Sequence, residues 1–179
     1  GAAGMGKSAL AVKLVERYQA AGGLVRVLDP SRAFPGGLGE WPGRGQVMAW
    51  LDELTGHGEG PAGGGWGPGM VVFDDADRWL RPWIQESVID LAVANRHLGR
   101  DGLVTGQRPQ GLPKELLGNA SELWLFAQEE PLALQYLAKI PALSGALSEG
   151  DLELPTEPGL ALRVVPRERR AELVDVFDR

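Results

Sequence analysis

The chain has 179 residues, 44% of them hydrophobic, enough for a sizeable buried core. It holds no cysteine and two histidines, which excludes disulfides, thiolate chemistry and cysteine-bound zinc and argues against a histidine-based metal cluster. A net charge of −6 argues against a general basic coat for nucleic acid, and no apolar run is long enough to cross a membrane as a helix.

The chain opens on GAAGMGKS, which fits G-x-x-x-x-G-K-[ST] from Gly1 to Ser8, with an extra glycine at Gly4. SALAVKLVERYQAAGG then predicts a helix with Leu10, Leu14 and Val15 on one face, stopped by Gly22 and Gly23. LVRVLDP predicts a short strand ended by Pro30. After a loop, QVMAWLDELTG predicts an amphipathic helix burying Val47, Trp50, Leu51 and Leu54. HGEGPAGGGWGPG, residues 57–69, is low in complexity and is expected to form a mobile loop centred on Trp66.

MVVFDD follows, a nearly continuous apolar run suited to a parallel strand covered on both faces. WIQESVIDLAVANRHLG predicts a helix with Ile84, Val88, Leu91 and Ala92 inward, and GLVTGQRP a strand closed by Pro109. The apolar strand LWLFA and the helix PLALQYLAKI come next, the latter with Pro131 in its first turn. In residues 151–179 a two-strand ribbon, DLELPTEPGLALRVVP, is expected before a closing helix over RERRAELVDVFDR. Alternating strands and helices imply one α/β domain over 1–179, with a mostly parallel sheet flanked by helices.

A glycine loop of this kind is expected to follow a buried strand, so a hydrophobic strand ahead of Gly1 is expected, without which the sheet would show a gap. The glycines let the backbone curl so that N–H groups face phosphate oxygens. The expected cradle is Gly1, Gly4, Met5, Gly6, Lys7, Ser8 and Ala9, with Lys7 reaching the β- and γ-phosphates of ATP and the Ser8 hydroxyl ligating Mg²⁺. The helix after Ser8 adds its positive end.

VVFDD puts two carboxylates at the end of a buried strand. Asp74 is expected to hold Mg²⁺, directly or through water, and Asp75 to orient or deprotonate the attacking water. Gln107, at the end of another strand, is placed to sense the γ-phosphate. Trp79 and Trp83 read as core or interface residues. Arg167, Arg169 and Arg170 read as a solvated helix face rather than a phosphate contact.

The ordered combination of VRVLDP, DDADRWL and NRHLGRDGLVTGQRPQGLPKELLGNASELWLF resembles the FtsK/HerA-type branch of P-loop ATPases, over about residues 1–140. The branch includes DNA pumps, conjugation coupling proteins and viral genome-packaging ATPases, and this chain is most similar in size to the small packaging ATPases. The resemblance implies a ring, pentameric or hexameric, that moves double-stranded DNA at a capsid or portal vertex, in the host cytoplasm or on the virion. It also implies that Arg96 of a neighbouring subunit completes the site, Arg100 being the second choice and Arg108 a supporting residue. Asp75 stands where such sites more often have glutamate, and Gly106 where the branch more often has threonine directly before glutamine.

Two other readings stay open at this point. One is a related ATPase of filamentous-phage assembly or conjugation, and the other a nucleotide-gated assembly module without turnover. A small-molecule kinase has little support, because its usual arginine-bearing lid is absent from the sequence.

Overall fold

A computed structural model describes residues 4–55, 68–94, 99–128, 130–144 and 154–178. By internal packing the chain falls into two units, Ala11–Thr105 and Gly1–Leu10 with Gly106–Arg179. The first is built on four parallel strands, β1 (Val25–Leu28), β2 (Gly39–Glu40), β3 (Gly69–Phe73) and β4 (Arg100–Val104), in the order β2-β1-β3-β4. Each neighbour in that order is directly paired, so no gap interrupts the ladder, and among the described residues β4 pairs with β3 alone. Leu28, Phe73 and Val104 lie in register. The residues that follow them, Asp29, Asp74 and Thr105, therefore leave the sheet at one edge.

Helix α1 (Lys7–Ala20) ends as its two glycines predict. Gly22 takes a left-handed φ of 84°, its N–H donating to the Gln19 carbonyl at 2.9 Å while the Gly23 N–H donates to the Tyr18 carbonyl at 3.0 Å. That pair of bonds satisfies carbonyls a helix end leaves open. Ala11 and Val15 pack in a cluster with Val27, Phe34 and Val72. Of the expected face, Leu10 and Val15 are buried and Leu14 is half-buried.

Strand β3 is covered on both sides, as its unbroken apolar run requires. Val72 joins the α1 cluster, while Phe73 points the other way and packs against Trp50 and Trp79, with ring centroids 6.3 and 6.1 Å apart. Trp50 belongs to α2 (Val47–Thr55), whose Val47, Leu51 and Leu54 are also buried as the spacing predicts. Trp79 ends the short α3 (Ala76–Trp79), and α4 (Pro82–Ala94) buries Ile84, Val88 and Leu91. Trp79 is a core residue and Trp83 is exposed.

The second unit carries an antiparallel sheet, β5 (Leu123–Leu125), β6 (Leu160–Val165) and β7 (Arg170–Asp175), in the order β5-β6-β7. Its core joins Leu123 and Val164 to Leu137 of α6 (Pro131–Leu137), Leu143 of α7 (Pro141–Ser144) and Ile140 between them. A short helix, α5 (Lys114–Asn119), precedes β5.

Two expectations are corrected here. LWLFA is a strand as expected, paired antiparallel to β6, but DLELPTEPGLALRVVP is not a ribbon by itself: among its described residues Leu160–Val165 alone form a strand, which pairs with the chain that follows. The tail RERRAELVDVFDR is not a helix, because its centre is strand β7. The chain turns at Arg169, which takes a left-handed φ of 49°, and then pairs along β6 from Val165↔Arg170 to Leu160↔Asp175. Arg163 and Glu172 sit directly opposite each other and bond at 2.8 Å, a cross-strand pair that helical spacing could not reveal. The arginine cluster thus lies on a hairpin, with Arg170 bonded to Glu168 at 3.2 Å.

Of the glycine-rich stretch, Pro68 and Gly69 are described, Gly69 opening β3; residues 57–67, with Trp66, lie outside the described residues. No described helix is long and apolar enough to cross a membrane.

Phe73 is the largest fully buried side chain among the described residues and ties β3 to two tryptophans. Phe73→Ala is expected to cost about 3–5 kcal/mol in urea unfolding, and a loss under about 1 kcal/mol would contradict this packing.

Candidate active site

Beyond the last residues of β1, β3 and β4 three carboxylates and two hydroxyls are knit together. Asp74 is 1% exposed and Asp75 8% exposed. The Thr105 hydroxyl donates to Asp74 Oδ1 at 2.6 Å and accepts the Asp75 N–H at 2.9 Å. The Ser31 hydroxyl lies 3.1 Å from Asp74 Oδ2 and 3.2 Å from Asp29 Oδ1, so its single proton bridges the two acids. The Asp74 carbonyl accepts the Trp79 Nε1–H at 2.8 Å. The Asp74 side chain is thereby held in one orientation, with a second lone pair on each oxygen not engaged by a bond among the described residues.

Each partner is placed by the sheet. The Asp74 N–H donates to the Leu28 carbonyl at 3.0 Å and the Thr105 N–H to the Phe73 carbonyl at 2.9 Å, which extends the ladder one residue past the strands. Asp29 spends its carboxylate on the chain that follows Pro30, accepting the Ser31 N–H at 3.1 Å and the Phe34 N–H at 2.9 Å. Gly39 makes room for it, since a methyl group there would stand 2.5 Å from Asp29 Oδ2. Asp29 is thus the post that positions Ser31.

Asp75 adopts a left-handed backbone, φ 45° and ψ 41°, a region Asp enters more readily than most residues. This kink turns the chain from β3 into α3, and the Asp75 carboxylate bonds Arg78 at 3.2 Å. Burial pushes the Asp74 carboxyl above the ordinary aspartate range; the Thr105 bond opposes that shift, and the nearby charges of Asp75 and Asp29 add to it.

The glycine loop lies in the other unit. Gly4 and Gly6 take left-handed φ values of 76° and 102°, conformations open to glycine. Gly6 opens α1, its carbonyl accepting the Leu10 N–H at 2.9 Å, and it has no side chain to cap the helix. The first turn carries no acidic residue, so the positive end of a 14-residue helix is not offset by its own sequence. Met5 is buried, Lys7 half-buried, Ser8 and Ala9 exposed; Gly1 lies outside the described residues. The Met5 carbonyl accepts the Gly159 N–H at 3.1 Å, which pins the loop to the chain entering β6. Gln107 is half-buried two residues past Thr105.

The structure therefore brings Asp74 and Asp75 together and adds Thr105, Ser31 and Asp29, which the sequence reading left without roles. The Asp-Pro step after β1 and the threonine ending a strand were the available signals. Arg96 lies outside the described residues. Arg100 is corrected: it is 6% exposed, and its guanidinium donates to the Leu54 carbonyl at 2.7 Å at the opposite end of β4 from Thr105. A guanidinium so buried is not available to a neighbouring subunit. Arg108 is exposed and lies 3.6 Å from Glu130.

Magnesium is commonly held by one or two carboxylates together with phosphate oxygens rather than by an all-protein cage. The donors here are hard oxygens, and among the described residues no group of three or more His, Asp or Glu forms a cage. The open lone pairs of Asp74 fit such an ion, directly or through its water.

No family model matches the chain, and no curated protein matches it. Among solved structures the chain is similar to the DNA-packaging ATPase B204 of Sulfolobus turreted icosahedral virus, with a TM-score of 0.72 and 16% identity over 97% of this chain and 93% of that one. It is also similar to the genome-packaging NTPase B204 of Sulfolobus turreted icosahedral virus 2. The complex with AMPPCP gives a TM-score of 0.67 and that with ATP-gammaS 0.68, each at 16% identity over the same shares of the two chains. The likeness shows the fold alone, an α/β fold with a parallel sheet flanked by helices.

Two outcomes follow from the carboxylate cluster. Thr105→Val removes a donor to a buried carboxylate and an acceptor of a backbone N–H, and should cost about 1–3 kcal/mol in chemical unfolding; a neutral result would contradict the bridge. Because the folded-state pKa of Asp74 is raised above its ordinary 3.8, stability falls as pH rises from 3.8 to the raised value, the cost is complete above that value, and none remains below 3.8. Asp74→Asn should thus be more stable than the parent chain at neutral pH, with the gap closing as pH falls. A variant of equal or lower stability at neutral pH would contradict this.

Proposed function

We propose that this chain is a motor subunit that couples MgATP hydrolysis to the translocation of double-stranded DNA during viral genome packaging. The observation that carries the reading is the buried acid pair at a parallel strand's end, with Asp74 fixed by Thr105 and Ser31. Support comes also from the helix after the glycine loop, whose first turn holds no acidic residue, and from the fold shared with proteins described as packaging ATPases.

In this reading the N–H groups of the glycine loop, from Gly1 through Ala9, bind phosphate oxygens, and Lys7 carries the balancing charge. Ser8 and Asp74 hold Mg²⁺, which when bound screens charge on the β- and γ-phosphates. Asp75 orients water for attack, and its carboxylate must exchange the Arg78 bond for that water. Gln107 reports whether the γ-phosphate is present. Arg96 of a neighbouring copy stabilises charge on the transferred group, which makes a homo-oligomeric ring the working unit. An acidic chain moves DNA through a local contact inside such a ring rather than through an overall basic surface.

The test is ATP hydrolysis with and without double-stranded DNA, beside Lys7→Ala and Asp75→Asn. DNA should stimulate turnover, Lys7→Ala should abolish it, and Asp75→Asn should lower kcat about 10²-fold or more while ATP still binds. Hydrolysis indifferent to DNA would replace the translocase with an assembly ATPase. A complete absence of turnover in the assembled oligomer would leave a nucleotide-gated module.

A further inference from the structure

The last residues of the second unit turn back onto the glycine loop. After β7 the Val176 N–H donates to the Gly159 carbonyl at 2.8 Å, and the Phe177 N–H donates to Asp175 Oδ1 at 2.8 Å. These bonds fix the backbone from which the Phe177 side chain leaves. Its ring lies in a seat made by Gly159, where any side chain would collide with it. The same ring borders Gly6: a methyl group on Gly6 would meet Phe177 at 3.4 Å, Val176 at 3.1 Å and Phe126 at 3.5 Å. Phe126 and Val176 are buried, whereas Phe177 is 54% exposed.

Two glycines and a side-chain-to-backbone bond thus hold an aromatic face in water beside the loop. An apolar ring of this size gains more from burial than from exposure, and a fixed ring binds a flat partner at small entropic cost. Val176 and Phe126 already fill the inner side of the glycine, so the outer face of Phe177 is not needed to pack the loop. A nucleoside triphosphate whose phosphates sit on the loop carries its base away from those phosphates, and Phe177 offers an exposed aromatic face beside Gly6 of that loop.

We propose that Phe177 is the stacking platform for the base of the bound nucleotide, an inference that rests on the nucleotide-binding reading above. Stacking uses the π-face that every base has, so Phe177 adds affinity for nucleotides over inorganic phosphates and separates adenine from guanine only weakly.

The experiment is calorimetric titration of the full chain with MgATP, MgGTP and magnesium tripolyphosphate. Phe177→Ala and Phe177→Leu should weaken ATP and GTP about tenfold. Tripolyphosphate should bind both variants as it binds the parent chain, and Phe177→Tyr should restore nucleotide affinity. Unchanged ATP affinity in the Ala and Leu variants would overturn the proposal, as would an equal loss for ATP and tripolyphosphate, which would make Phe177 a support of the loop alone. A parent chain that binds none of the three would overturn the nucleotide reading itself, and the platform with it.

Discussion

The Thr105 hydroxyl is the joint of the first unit. It donates to the Asp74 carboxylate at 2.6 Å and accepts the Asp75 N–H at 2.9 Å. It can do both because β4 lies beside β3 in parallel and both strands stop at one level. Burial raises the pKa of that carboxylate, and the hydroxyls of Thr105 and Ser31 that face it oppose the shift. The parallel ladder, Gly39 beside Asp29, and the turn that places Ser31 all serve to keep those hydroxyls in place. Asp75 pays with a left-handed backbone, the kind of local strain that persists where surrounding bonds over-determine it.

The second unit handles the glycine loop by a different device. Gly159 ties the Met5 carbonyl to the start of β6, and the end of β7 closes over it. The antiparallel hairpin therefore does for the loop what the parallel ladder does for the acids: backbone pairing sets where a few short side chains and N–H groups stand. A helix in place of β7 would have left the Gly159 carbonyl without the Val176 N–H.

Much of this was legible in the sequence because it rests on local rules. The unbroken MVVF run gave a strand covered on both faces, the 3.6-residue spacing of Val47, Trp50, Leu51 and Leu54 gave a buried helix face, and Gly22 and Gly23 marked a helix end. The acid pair was visible because two charges at the end of an apolar strand have few structural uses. What stayed hidden depended on partners distant in sequence. Ser31 and Thr105 are ordinary hydroxyl residues until the sheet brings them to Asp74, 43 and 31 positions away. Arg100 read as a free cation because nothing local reveals that its guanidinium reaches the Leu54 carbonyl 46 positions back. The tail carried charges and leucine at helical spacing, and pairing with β6 overrode that local preference.

The central claim is that the fixed carboxylate of Asp74 serves a nucleotide-bound divalent ion. Its most direct test is Mn²⁺ binding in the presence of a non-hydrolysable ATP analogue, read by the paramagnetic resonance of the bound ion, in the parent chain and in Asp74→Asn. The account predicts Mn²⁺ affinity about tenfold to hundredfold lower in the variant, with metal-free binding of the analogue unchanged. Equal Mn²⁺ affinity in the two proteins would contradict it and would leave the buried acid pair as a turn-forming device.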